Sequence, residues 1–223
     1  MRVLVGCETS GAVRNAFIRY GHDAWSCDLL PADSDAGGRH IVGDVLDVAT
    51  SAGPWDLGIF HPPCTYLCSS GMHWTRRGLR DPKLTDDALL LVRNIMDLEI
   101  GKIAIENPVG CISTKIRKPD QIIQPYQFGE DASKATCLWL KGLPKLKYTQ
   151  LVAPRMVCVC GHTYRHELAN CPSCGLGNDH SSRRWSNQTD SGQNRLPPSD
   201  ERWKKRSKTY LGIANAMAAQ WGI

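Results

Sequence analysis

Short apolar runs alternate with stretches of helical period through the first 140 residues of this 223-residue chain. That alternation limits the possible folds more than any other feature. The β-like segments are Arg2–Gly6, a strand within His22–Leu30, His40–Val45, Asp56–His61, Lys102–Glu106 and Ala135–Leu140. Gly11–Tyr20 and Thr85–Leu98 read as helices, the second with Ala88, Leu91, Val92, Ile95 and Leu98 along one stripe. Strands separated by helices join through crossovers rather than hairpins, so the pattern predicts an α/β, doubly wound, mostly parallel sheet. The length accommodates one such domain with a small insertion.

No run approaches the roughly 18 apolar residues of a membrane span. The opening Met1-Arg2-Val3-Leu4-Val5-Gly6 lacks the apolar stretch of a signal peptide. The expectation is a cytosolic protein whose ten cysteines are thiols or metal ligands rather than disulfides.

Parallel sheets bind ligands at the carboxyl ends of their strands. Asp56–His61 runs into Pro62-Pro63-Cys64, where two prolines stiffen the turn and hold Cys64 at that edge. Lys102–Glu106 brings Glu106 and Asn107 to the same edge. A thiol and a carboxylate on neighbouring strand ends suit nucleophilic attack with acid assistance. A free cysteine is ordinarily a small buried hydrophobe, and only the Pro-Pro context sets Cys64 apart from Cys7, Cys27, Cys68, Cys111 and Cys137. His61 and His73 are capable of acid–base work, although such residues more often only hydrogen-bond. The start, Val3–Ala12, is a strand, a small-residue turn and a helix, a geometry that turns free backbone N–H groups toward a ligand. Asp28 ends the second strand and Asp44 the third. Each alone reads as a loop or capping residue, but together they suit a nucleoside-bearing cofactor. Pro62–Leu84, with Ser69–Arg80 inside it, reads as a long loop of the lid or binding kind.

Farther on stand Cys158-Val159-Cys160-Gly161-His162 and Cys171-Pro172-Ser173-Cys174-Gly175. Two cysteine knuckles of this spacing make a tetrahedral zinc site, and metal binding folds a segment too small for its own core. His162 or His166 could replace a ligand, but Cys158, Cys160, Cys171 and Cys174 suffice. A closed four-thiolate set leaves no open position, so the reading is structural Zn2+. Residues 181–223 hold eight basic and three acidic side chains and carry the whole net charge of +5. Arg202-Trp203-Lys204-Lys205-Arg206-Ser207-Lys208 interleaves a tryptophan with cations, and Arg183-Arg184-Trp185 repeats the pattern. Such clusters suit phosphate contact with aromatic support, or simply a solvated face. Residues 177–201 are polar and read as a flexible connection, and Thr209–Trp221 as an Ala-rich closing helix.

These residues resemble the DNA (cytosine-5)-methyltransferases, in a short form familiar from bacteriophages and prophages. Glu8-Thr9-Ser10-Gly11-Ala12 stands where that family has its glycine-rich cofactor turn. Asp28 and Asp44 fall at its ribose and adenine positions. His61-Pro62-Pro63-Cys64 is similar to its Pro-Cys loop, and Glu106-Asn107-Pro108 to its Glu-Asn-Val motif. Asn194–Pro198 and Leu211–Ala218 resemble its last two motifs, whose helix packs back on the core.

The resemblance implies a Rossmann-like fold that binds S-adenosyl-L-methionine through Glu8, Thr9, Ser10, Gly11, Asp28, Leu29, Asp44, Val45, His61 and Asn215. It implies a catalytic set of Cys64, Glu106, Asn107 and Pro63, acting on carbon 5 of a cytosine flipped from duplex DNA. Single-stranded DNA, RNA or a free cytidine nucleotide is the alternative acceptor, and a non-catalytic nucleic-acid-binding protein the alternative class. The family's Gln-x-Arg-x-Arg motif has its best counterpart in Ser133–Thr136, and its large target-recognition domain is missing. The expected division is a catalytic core over 1–150, a zinc ribbon over 151–180 in the recognition domain's place, and a basic linker with closing helix over 181–223. Lys134, Arg183, Arg184, Arg195, Arg202, Lys204 and Lys205 are the expected nucleic-acid contacts, with room for an accessory partner that supplies specificity. The expected setting is the cytoplasm of a bacterial host, for a phage- or prophage-encoded protein.

Overall fold

A computed structural model describes residues 1–33, 37–199 and 202–223, with Trp203 described in its backbone alone. Two compact units form: Met1–Ile123 with Ala135–Lys147 and Ser207–Ile223, and Gln124–Lys134 with Tyr148–Arg206.

The first unit opens with β1 (Arg2–Gly6), α1 (Ala12–Arg19), β2 (Asp23–Asp28), β3 (His40–Val42) and α2 (Val45–Ser51). It continues through β4 (Leu57–Phe60), α3 (Ser69–Arg76), α4 (Lys83–Asp97), β5 (Ile103–Pro108), α5 (Ile112–Lys115), β6 (Gln121–Ile123) and β7 (Thr136–Lys141). The strands form one sheet in the order β3-β2-β1-β4-β5-β7-β6. β3, β2, β1, β4 and β5 run parallel, and β7 lies antiparallel between β5 and β6. The expected doubly wound, mostly parallel α/β fold is therefore present. Every residue of β4, and Val3–Gly6 of β1, is buried, the signature of central parallel strands covered on both faces. Strand order reverses between β1 and β4. In doubly wound sheets the crevice at such a reversal is where ligands bind.

Several boundaries depart from the sequence reading. The third strand ends at Val42 rather than Val45, because the Asp44 carboxylate accepts the N–H of Leu46 and Asp47 and starts α2 at Val45. Pro62–Leu84 is not one loop: Cys64–Tyr66 forms a single 3-10 turn, α3 follows, and α4 begins at Lys83. Gly11 is the N-cap of α1 rather than its first turn. Its φ of 65° is left-handed, and a Cβ there would meet the Arg14 guanidinium.

Helix α6 (Arg202–Ser207) follows the second unit's strands, and α7 (Leu211–Trp221) closes the chain against α1. α7 buries Ile213, Ala214, Ala216, Met217, Ala218 and Trp221, whose indole N–H donates to the Pro144 carbonyl at 2.9 Å.

The second unit holds β8 (Arg155–Cys158), β9 (Thr163–Arg165) and β10 (Ser181–Arg184) in one antiparallel sheet, ordered β10-β8-β9. The flexible connection expected over 177–201 is corrected, with 200 and 201 outside the described residues. Ser181–Arg184 pairs with β8, and Trp185 stacks on Tyr126 with ring centroids 4.6 Å apart. Asn187 exchanges two hydrogen bonds with the backbone of Ser133. These partners lie far upstream in the chain, so local polarity gave no sign of them. Around the cysteines the buried apolar cluster is Met156, Cys158, Tyr164 and Cys171, and Phe128 and Ala132 are buried elsewhere in the unit.

Candidate functional site

The loops after β4 and β5 are pinned together at the carboxyl edge of the sheet. Phe60 pairs with Ile105 in register, so His61 and Glu106 follow side by side. His61 Nδ1 lies 3.0 Å from Glu106 Oε2, and the two side chains are 9% and 10% exposed. Asn107, 1% exposed, donates from Nδ2 to the Pro62 carbonyl at 2.8 Å. Farther out, Ser69 N–H donates to the Val109 carbonyl at 3.1 Å and Cys111 N–H to the Leu67 carbonyl at 2.8 Å. Gly110 sits where these loops cross, and a Cβ there would fall 2.0 Å from the Leu67 carbonyl oxygen.

Two expected outcomes follow. Asn107→Ala leaves the buried Pro62 carbonyl without this donor and is expected to cost about 1–3 kcal/mol, measured by urea unfolding. Gly110→Ala sets a methyl against backbone that cannot yield, and the same measurement should show a loss of about 1–3 kcal/mol or more.

Cys64 begins the 3-10 turn, half-buried behind an exposed Pro63. Its carbonyl accepts the N–H of Leu67 and of Cys68. Cys68, left as incidental by the sequence reading, is the N-cap of α3 and accepts the Gly71 N–H through Sγ. A hydrogen bond from the Cys64 thiol pulls the Cys68 thiol down to about 5 against the opposing effect of burial, with Ser70 Oγ and the N–H groups of Gly71 and Ser70 adding to it. The pair thus favours the thiolate form of Cys68. Cys68 alkylation by iodoacetamide, followed by peptide mass mapping, is expected to stay fast down to about pH 6 and to slow only near pH 5, where the thiolate takes a proton. Cys64→Ala removes the donor and should slow the reaction at pH 6 by about tenfold or more. The spacing of four residues across one turn was the signal available for this pair.

At the end of β1, Cys7 has φ 59°, a left-handed conformation unusual for a residue with a Cβ. Burial, followed by the charges of Asp28, Cys27 and Asp44, pushes its thiol up to about 12. Asp28, at the end of the adjacent strand β2, and Asp44, at the start of α2, thus both act on the β1 end. One Asp28 oxygen accepts the Leu30 N–H, Leu29 is exposed, and Val45 is buried at the start of α2.

The free N–H groups expected at the start of α1 are corrected. Glu8, 5% exposed, accepts the N–H of Val13 at 2.8 Å and of Arg14 at 3.2 Å, and Ser10 Oγ accepts that of Ala12. Ser10 also donates to Glu8, and the Thr9 carbonyl accepts the Asp33 N–H. The turn is an internally satisfied scaffold. Asn215 on α7 accepts from Arg19 of α1 at 2.9 Å.

In the second unit, the sulfurs of Cys158, Cys160, Cys171 and Cys174 all lie within 4.8 Å of one another. Cys158 and Cys174 are 3.6 Å apart and Cys160 and Cys171 3.7 Å. A tetrahedron with metal–sulfur bonds of about 2.3 Å has edges of about 3.8 Å, so four thiolates here can hold a zinc ion. Lys134, Arg183, Arg184, Arg195, Arg202, Lys204 and Lys205 all fall in this unit. Arg183 and Lys205 are exposed, as is Arg195, which donates to the Gln188 carbonyl. Arg184 donates to the carbonyls of Asp190 and Arg183, and Lys134 to that of Arg206. Sequence reasoning missed Arg155, which lies on β8 and pairs with Asp190 at 2.9 Å.

No family model matches this chain, and neither does any curated protein. Among solved structures, it is similar to a protein described as a DNA modification methyltransferase encoded within a prophage of E. coli. The identity is 14%, the TM-score 0.40, and the match covers 63% of this chain and 46% of that one. It is also similar to the Entamoeba histolytica methyltransferase EhMeth, at 14% identity and TM-score 0.46, over 69% of this chain and 58% of that one. The chain spans about half the length of the structures it matches. No helix among the described residues is long and apolar enough to cross a membrane.

Proposed function

We propose that this chain is an S-adenosyl-L-methionine-dependent methyltransferase that modifies carbon 5 of cytosine in DNA, in the cytoplasm of a bacterial host. The observation that carries the reading is the pinned pair of loops, which sets Cys64 and Glu106 on adjacent parallel strand ends beside the switch point of the sheet. A cysteine there can add to carbon 6 of the ring. Glu106 can hold the N3 edge and give it a proton as the addition pushes electrons onto the ring; after methylation, loss of the carbon 5 proton to water expels Cys64, and the N3 proton returns to Glu106. Asn107 acts by fixing the Pro62 carbonyl, and with it the stiff Pro62-Pro63 step that presents Cys64.

The residues present fit the methyl donor. Asp28 ends β2 and Asp44 caps the start of α2, and carboxylate acceptors at such positions suit ribose hydroxyls. Asp28, Leu29, Asp44 and Val45 would hold the nucleoside, beside the turn that Glu8, Thr9, Ser10 and Gly11 shape, with Asn215 on the closing helix. When bound, that cofactor supplies an electrophilic methyl group. Zn2+ on the four cysteines would be structural, since all four tetrahedral positions are taken by protein. The second unit, with its seven candidate cations, would serve in place of a recognition domain, making phosphate contacts to duplex DNA from which the target base is flipped. A partner protein could add sequence specificity.

The test is transfer of labelled methyl groups to duplex DNA, single-stranded DNA, RNA and free cytidine nucleotides. Label at carbon 5 of duplex cytosines supports the reading. Label confined to another acceptor keeps the chemistry and changes the substrate. Absence of label on every acceptor, with cofactor and zinc bound, would leave a nucleic-acid-binding protein.

A further inference from the structure

His61 meets Glu106 on the neighbouring strand β5 through its side chain. Its backbone N–H donates to the Gly6 carbonyl at 3.0 Å, which seats it between the β1 and β5 ends. Its Nδ1 meets Glu106 Oε2 at 3.0 Å, while Nε2 is buried and has no hydrogen-bond partner among the described residues. The two nitrogens cannot be used alike. A buried N–H without an acceptor is rarer than a buried lone pair without a donor. The arrangement that meets this rule puts the proton on Nδ1, donating to an ionised Glu106, and leaves Nε2 as a bare lone pair.

We infer that His61 is a positioning residue for Glu106, a role that rests on the methyltransferase reading above. The imidazole holds one carboxylate oxygen and so sets the direction in which the carboxyl group faces the ring it serves. It also gives the carboxyl group a partner when that group is ionised. Glu106, ionised at rest, takes up a proton from solvent on base binding and gives it to N3 as Cys64 adds, and the carboxylate this restores is met at once by the Nδ1–H already aimed at it. When the adduct breaks, the N3 proton returns to Glu106. That proton is released as the resting pair is restored, and His61 never touches the substrate. This differs from the cofactor contact that the resemblance implies for His61, because the ring's donor is committed to the β5 end.

The test uses the full-length, zinc-loaded protein. His61→Ala is expected to lower kcat for methyl transfer on the order of 10- to 100-fold, the scale of a misplaced catalytic group, while KM for S-adenosyl-L-methionine changes less than about twofold. His61→Asn, whose amide nitrogen can stand near the Nδ1 position, should recover most of the loss. His61→Gln, which carries its amide farther out, should not. Thermal melting of each variant guards against simple misfolding. A second readout does not need activity: in protein labelled with 15N-histidine, His61 should be the Nδ1–H tautomer, and Glu106→Gln should release that preference. Full activity in His61→Ala, failure of His61→Asn to recover a folded but impaired enzyme, or a tautomer indifferent to Glu106→Gln would each overturn the assignment. If the wild-type protein methylates nothing, the parent reading falls and the role with it. The tautomer measurement then shows whether that failure leaves the His61–Glu106 pair intact.

Discussion

Cys64→Ala is expected to abolish methyl transfer, by at least about a thousandfold, while the protein keeps its fold and its affinity for S-adenosyl-L-methionine. The effect should be this large because addition to carbon 6 is what makes carbon 5 nucleophilic, and no neighbouring group replaces a covalent bond. Cys68 is the nearest competitor, since it already carries thiolate character. It is, however, the N-cap of α3, its sulfur engaged by the Gly71 N–H and by Ser70 Oγ. Cys68→Ser keeps an N-cap acceptor and should retain activity within about tenfold, whereas Cys64→Ser, with its far less nucleophilic hydroxyl, should not. Single-turnover transfer to duplex DNA, with cofactor binding measured in parallel, separates these outcomes. Comparable activity in Cys64→Ala and wild type would sink the covalent mechanism.

Removing the metal is expected to unfold the strands that carry the cysteines. The apolar cluster around the cysteines has four members, two of them the candidate ligands Cys158 and Cys171. At roughly 1.5–3 kcal/mol for each large buried side chain, Met156 and Tyr164 together contribute only a few kcal/mol. Structural zinc in small peptides contributes about 10–16 kcal/mol near neutral pH. A strong chelator, or Cys171→Ser, should therefore erase hydrogen-exchange protection across Arg155–Cys158, Thr163–Arg165 and Ser181–Arg184. Zinc released by the chelator should amount to about one ion per chain. Protection that survives metal removal would show that the sheet stands without it.

Much of the first unit was legible because its signals are local. The short apolar runs Arg2–Gly6, Asp56–His61 and Lys102–Glu106 fall on β1, β4 and β5, and the apolar stripe over Thr85–Leu98 falls on α4. Pro62 and Pro63 mark the stiff turn before Cys64 whatever surrounds them. The four cysteines read as a cluster because two close pairs need only one turn of chain between them. The resemblance added a mechanism and a cofactor to positions that the residues alone marked only as a thiol, a carboxylate and two aspartates at strand ends.

Other features were not legible because their causes lie elsewhere in the chain. Ser181–Arg184 looks like polar linker, and only β8 beside it makes it a strand. Trp185 finds Tyr126, and Asn187 finds Ser133, across more than fifty intervening residues. The α1 start appeared open to a ligand, yet Glu8 folds back to take its N–H groups.

By itself the sequence determined the main strands of the parallel sheet and the helices Ala12–Arg19, Lys83–Asp97 and Leu211–Trp221, where the thiol and carboxylate stand along the chain, and that four cysteines can share a metal. Those properties follow from residue type and near-neighbour spacing. Only the tertiary structure decided that β4 and β5 are adjacent, that His61 therefore meets Glu106, and that Asn107 braces Pro62. Register between strands is set by packing and hydrogen bonds over long separations, and no local pattern encodes it.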